Sequence, residues 1–330
     1  MNNEKLIDVS DLGLSEEELF SHIDISEVES EKITAPRYSY WKSVLRSFFR
    51  KKVNIFILAV LALIVVFSFI YPFVIGYDAS VTYFIHVSDT SSYHLQPAAA
   101  MQRFGTNLHW ILGTGNIGQS TFDAVWNGSR ISISLAFVCA AINMTIGIIL
   151  GAIWGFSKKV DIIMTEVLNV IGNVPYLLII AVLVRILTAS FWTMVFALTV
   201  TGWLGIAYFI RTQVVIIRDR EYNLASRCLG TPIFRLTMRN ILPFMVSVIV
   251  TLAASEIPSY ISYEVYLSYI GIGLSDMSLG KIIQTTQAFM NVPKWGFEYW
   301  TPVVVVSIVT VILYVVGQNL GDASDPKTHM

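Results

Sequence analysis

Six apolar blocks, at 53–74, 131–156, 162–187, 191–210, 241–272 and 301–316, constrain this chain more than any other feature. A helix crossing a bilayer needs about 20 apolar residues, and each block comes close to that or exceeds it. The apolar excess lies in these blocks. Of the 330 residues, 55% are hydrophobic and 14% charged, where soluble domains carry about 25% charged residues. The expectation is an all-α membrane protein with about six transmembrane helices.

Charge sets the expected orientation. Residues 1–31 hold ten acids and one base, Lys5, so the net charge of −1 leaves the rest of the chain basic by eight. The segments assigned to the inside, 32–52, 157–160, 211–240 and 317–330, hold sixteen Lys and Arg. Arg103, Arg130, Arg185, Lys281 and Lys294 are the five at the outside or at outer helix ends. Basic loops stay on the cytoplasmic side, so both termini are expected inside.

The segmentation that follows has five parts. Residues 1–52 are a cytoplasmic acidic tail and a basic pre-membrane segment. Residues 53–74 are the first transmembrane helix, and 75–130 an external loop. Residues 131–316 are a core with helices two to six and a cytoplasmic loop at 211–240, and 317–330 are a cytoplasmic tail. Ser15 before Glu16, Glu17 and Glu18 could cap one short helix in the acidic tail. That tail has no apolar core, so no cleavable signal is expected. Pro175 interrupts the third block, so that block can also be read as part of a re-entrant hairpin. The fifth block exceeds one span and contains Pro258, so its last part is expected to be tilted or broken.

Several features carry bland readings. Cys139 and Cys228 are far apart and read as small apolar fillers of helices. Trp110, Trp126, Trp192, Trp295 and Trp300 fall near outer helix ends, as an aromatic belt would. Gly147, Gly151 and Gly155 form a small-xxx-small ladder, read as close helix packing. His86 and His94 share the external loop without a clear third ligand, so no metal site is expected. No GxxxxGK[ST] loop is present, so the chain is not expected to hydrolyse ATP itself. Gly113-x-Gly115-x-x-Gly118 lies in an external loop, where a dinucleotide fingerprint has no strand and helix to serve.

Intramembrane polar residues are costly and tend to face protein or a path. Glu166, Asn169 and Asn173 recur at helical spacing in the third block, and Glu256, Tyr260 and Glu264 do so in the fifth. They are candidates for a translocation path. Interhelical hydrogen bonding explains them equally well at this stage.

The stretch 211–243 is long for a loop and reads as two short amphipathic helices broken at Gly230-Thr231-Pro232. Leu224, Cys228 and Leu229 form an apolar patch flanked by Arg220, Glu221 and Arg227. Such an element suits docking in a groove of another protein, or lying on lipid headgroups. From pattern alone the two are balanced.

The same stretch carries a family resemblance. Leu224-Ala225-Ser226, three residues, Gly230, nine residues and Asn240-Ile241-Leu242-Pro243 resembles the cytoplasmic motif of ABC importer permeases. That motif reads Glu-Ala-Ala, three residues, Gly, nine residues, Ile-x-Leu-Pro. Leu224, Ser226 and Asn240 depart from it; Glu221, three positions earlier, is an acid whose equivalence to the missing one stays open. Phe104-Gly105-Thr106-Asn107, Gly118-Gln119-Ser120, Gly128-Ser129-Arg130, Asn173-x-Pro175, the run 264–273 and the run 317–326 are similar, in order, to stretches of dipeptide and oligopeptide permeases. The last two resemble the C-type subunit. The run 35–41 resembles its streptococcal form, which implies a Gram-positive plasma membrane.

The resemblance implies a type I ABC importer permease fold and one half of an oligopeptide path. It implies a B-type permease as heterodimer partner, two ATP-binding subunits that hold ATP and Mg, and an external peptide-binding lipoprotein. No cofactor is implied on this chain, and no nucleic acid. ATPase coupling would run through Glu221, Leu224, Ala225, Ser226, Arg227, Leu229, Gly230, Leu242 and Pro243. The competing expectations are an ABC permease for dipeptides or nickel and a heteromeric exporter half. A secondary transporter would need an ion site and repeats that the chain does not display.

Overall fold

The computed structural model describes residues 40–77, 94–115 and 118–324. The chain divides into a unit 1–40, nearly all outside the described residues, and a unit 41–330 to which the account below belongs. The acidic tail, its Ser15 cap and His86 lie outside the described residues.

The described residues are helical, apart from one isolated bridge between Thr114 and Ser120. A short helix α1 (Tyr40–Arg50) precedes α2 (Lys52–Val74). Then follow α3 (Pro97–Phe104), α4 (Thr121–Phe156), α5 (Lys158–Gly172), α6 (Tyr176–Leu187), α7 (Phe191–Val200) and α8 (Trp203–Arg218). The loop after α8 gives α9 (Glu221–Cys228) and α10 (Ile233–Leu236), and α11 (Val246–Tyr269), α12 (Leu279–Thr286) and α13 (Gly296–Ser324) complete the described residues. Five spans are long and apolar enough to cross a membrane, or six if α5 and α6, bent by 75°, count as one.

The spans extend beyond the apolar blocks because their polar ends find partners. The second begins at Thr121, ten residues before the expected start. Ser120 caps it by accepting from the Asp123 N–H. Asp123 is then buried, accepting from the Tyr71 hydroxyl at 2.7 Å and paired with His109 at 2.8 Å. A polar turn that reads as loop is thus a helix end tied to α2 and to the external segment. The fourth span runs through Arg211 to Arg218. Arg211 makes a bidentate pair with Asp161 at 2.7 and 2.9 Å, and Trp154 Nε1 donates to the same carboxylate at 2.7 Å. This knot joins the end of α4 and the start of α5 to the middle of α8. The fifth span is continuous through Pro258 and stops at Tyr269, so the tilted or broken end expected of this block falls after 269 and not at the proline. Gly271, at φ +83°, turns the chain after it.

The glycine ladder is a packing device. A Cβ on Gly147, Gly151 or Gly155 would stand 2.5, 2.4 or 2.6 Å from atoms of Ile206, Ala207 or Val214 on α8. Gly317 and Gly321 of α13 play the same part against Ala254 and Thr251 of α11. Lipid offers no hydrophobic drive between helices, so close backbone approach supplies the contact. The main core gathers Leu135, Cys139, Ile180, Met194, Leu198 and Ile261 from α4, α6, α7 and α11.

Two bland readings need correction. Cys139 is buried as expected, but Cys228 is exposed on α9, where the loop helix has no neighbour on that side. Of the five tryptophans, Trp192 and Trp300 are exposed. Trp110 is buried and stacks on Phe104, Trp126 packs on Phe67, and Trp295 stacks on His94. Trp110 and Trp295 thus pack the segment between α2 and α4, and Trp126 joins those two helices. His94 also bonds Glu298, and burial beside Lys294 pushes its imidazole down to about 4.

Candidate docking loop and transmembrane cavity

The loop after α8 is two helices on a fixed hinge. α9 ends in paired backbone bonds, Gly230 N–H to the Arg227 carbonyl at 2.9 Å and Thr231 N–H to the Ser226 carbonyl at 3.1 Å. This is a Schellman cap, which places its C′ residue in the left-handed region. Gly230 sits there at φ +81°, with open space around its missing side chain. Pro232 then opens α10.

One buried amide anchors the loop. Asn223 is fully buried; its Nδ2 donates to the Ile217 carbonyl at 2.9 Å, and its Oδ1 accepts from Asn240 at 3.4 Å. Asn240 also donates to Ser226 at 3.5 Å. Two positions that depart from the family motif, Ser226 and Asn240, therefore bond each other. Sequence reading passed over Asn223; a lone Asn in a polar loop gives no signal until its burial is seen. Leu242 is half-buried and Pro243 opens the turn into α11.

The outer side of the loop is apolar and uncovered. Leu229 is 87% exposed and Phe234 72%, beside exposed Leu224, Ile233 and Met238. Glu221, Ala225 and Arg227 are exposed with them. Contiguous exposed apolar residues on a polar rim mark an interaction surface.

Inside the membrane zone a cavity of about 630 Å³ is lined by Tyr176, Thr201, Glu256, Tyr260, Tyr263 and apolar neighbours. It lies where helices lose their regular path. α5 and α6 meet at a 75° bend over 173–175, and α7 and α8 part at Thr201–Gly202. Irregular backbone at membrane depth is tolerated where it lines a cavity.

The candidate path residues separate. Glu256 and Tyr260 line the cavity. Tyr260 also accepts from Asn143 of α4 at 2.7 Å, so the interhelical reading holds for it as well. Glu264, one stripe position further, is fully buried elsewhere. Its carboxylate accepts from Ser132, Ser268 and Ser278 at 2.8, 2.8 and 2.6 Å, clamping α4, α11 and the start of α12. Glu166 and Asn169 on α5, and Asn173 just after it, are exposed and do not line the cavity. Asn173 donates to the Asn169 carbonyl instead of crossing to another helix.

A helical membrane chain with an interrupted mid-membrane cavity and an uncovered loop helix has the parts of a transport subunit. Residues 143–330, more than half the chain, match the family described as "Binding-protein-dependent transport system inner membrane component", and the chain belongs to that family, as a permease of the oligopeptide C type. Residues 39–97 match the "N-terminal TM domain of oligopeptide transport permease C". The chain is 44% identical to the oligopeptide transport system permease protein AmiD of Streptococcus pneumoniae, over 95% of this chain and 98% of that one. It is 30% identical to the oligopeptide permease OppC of Bacillus subtilis, over 91% of this chain and 93% of the relative. It is likewise 30% identical to the dipeptide permease DppC of Bacillus subtilis, over 91% and 89%. The chain is thus a multi-pass membrane permease subunit of an ABC importer.

Proposed function

We propose that this chain forms half of the membrane path of an oligopeptide importer in the plasma membrane of a Gram-positive bacterium. A B-type permease is its partner, two ATP-binding subunits hold ATP and Mg beneath it, and an external lipoprotein delivers the peptide. The chain itself binds no nucleotide. The observation that carries the reading is the 44% identity to a pneumococcal oligopeptide permease across nearly the whole of both chains. The uncovered Leu224–Leu229 side of α9 supports an ATPase subunit as its occupant, because a hinge locked by Gly230 and Asn223 transmits a push to α8 and α11. ATP-driven closure of those subunits would then move the spanning helices between inward and outward access. The exposed α5 stripe of Glu166, Asn169 and Asn173 is assigned to the face towards the second permease. Deleting the chain from its host should abolish uptake of a labelled tetra-alanine and restoring it should return uptake. Undiminished uptake in the deletion strain would remove the oligopeptide reading.

A further inference from the structure

We propose that Glu256 holds the α-ammonium group of the peptide as it passes the mid-membrane cavity; this deepens the oligopeptide reading and rests on it. Glu256 is the one carboxylate among the residues lining the cavity, and no Lys, Arg or His lines it. The cavity therefore holds one acidic side chain with no basic side chain of its own to pair with it. A charge at membrane depth is costly unless something pairs with it. An ammonium brought by the peptide would supply the pairing that the lining residues lack.

The surroundings are built for an ammonium. Asn143 donates to the Tyr260 hydroxyl at 2.7 Å, and Tyr260 stands one helical turn beyond Glu256 on the same helix. Tyr176, Tyr260 and Tyr263 gather beside it, with ring centroids 5.3 and 6.1 Å apart. Tyrosine faces attract cations through the ring quadrupole. Thr201 Oγ1, buried on the same wall, has no partner and is available to a peptide amide or carbonyl. The remaining walls, from Ile171, Ile179, Leu204 and Phe209, are apolar and make no demand on side-chain identity. The α-ammonium is the one cation that every unmodified peptide shares, so this site reads the end of the peptide and not its sequence.

The test uses the whole transporter, both permeases and both ATPase subunits, in nanodiscs without the external binding protein. That protein's own selectivity is thereby removed. Binding is measured for tetra-alanine, N-acetyl-tetra-alanine, and N-acetyl-trialanyl-lysine, whose only cation is a side chain. The parent should bind tetra-alanine about tenfold more tightly than either acetylated peptide, the worth of one charge-assisted hydrogen bond. Glu256→Gln should bind all three alike, and Glu256→Asp should keep the preference. A parent that binds the acetylated peptides equally well overturns the proposal, even if Glu256→Gln fails to assemble. So does a Glu256→Gln transporter that keeps the preference. Lysine-peptide binding equal to that of tetra-alanine assigns the site to side-chain cations and overturns it too. Proteoliposomes with the binding protein that import no peptide at all would instead remove the oligopeptide reading.

Discussion

At the residue scale, two glycines do opposite work. Gly151 lets α4 touch α8, and a Cβ there would stand 2.4 Å from the Ala207 carbonyl oxygen. Neither backbone can retreat without separating the helices. Gly151→Val should cost more than about 3 kcal/mol, as severe overpacking does, and the protein should vanish from the membrane fraction on an immunoblot. Gly230 has no atom near its missing side chain and is needed for its φ of +81° alone. Gly230→Val costs about 1–3 kcal/mol of backbone strain confined to the loop. Its membrane level should match the parent while peptide uptake falls severalfold. Equal uptake would mean the hinge does not transmit. Asn223→Ala should resemble Gly230→Val, because a buried carbonyl left without its donor costs about 1–3 kcal/mol. The readout is peptide-stimulated ATPase of the assembled complex, which should drop while the amount of chain recovered does not.

At the element scale, α9 and its cap turn Leu224 and Leu229 outward, uncovered among the described residues. Leu224 and Leu229 are 42% and 87% exposed, so Leu224→Asp and Leu229→Asp leave the isolated chain undisturbed. In an apolar groove of an ATPase subunit the same charge would be desolvated without a partner. Both variants should retain the second permease in a pull-down and lose the ATPase subunits. If the ATPase subunits still co-purify at the parent's ratio, the helix lies on lipid headgroups instead. The two short helices and their break at Gly230-Thr231-Pro232 are visible in the sequence, because Gly and Pro punctuate the chain there. The anchor is not visible, because burial of Asn223 depends on where Ile217 and Asn240 fall in space.

At the scale of the whole molecule, orientation and energy source can be checked together. Cys228 is exposed on α9 and Cys139 is buried, so the native chain already carries one reporter thiol. An impermeant maleimide should miss Cys228 in intact cells and label it in inverted vesicles. Thr285→Cys, at an exposed position of α12, should show the reverse pattern. Labelling of Cys228 from outside would invert the topology. The purified chain should hydrolyse no ATP, and hydrolysis that persists after every ATPase subunit is removed would contradict its role as a passive half of the path.

The sequence by itself determined the number and approximate place of the spans, since apolar length is a local property that a bilayer reads directly. It also determined the loop break and, through ordered motifs, the family. Only the tertiary structure decided which polar residues face where. Glu256 and Glu264 lie on the same helix eight residues apart, and period alone puts them on one stripe. Ser132 and Ser278 arrive from other elements to seal Glu264, while the bends at 173–175 and Thr201–Gly202 open a space beside Glu256. Helical spacing fixes which residues share a face; what that face meets is set by other chain segments, from 14 to 132 residues away for the serines on Glu264.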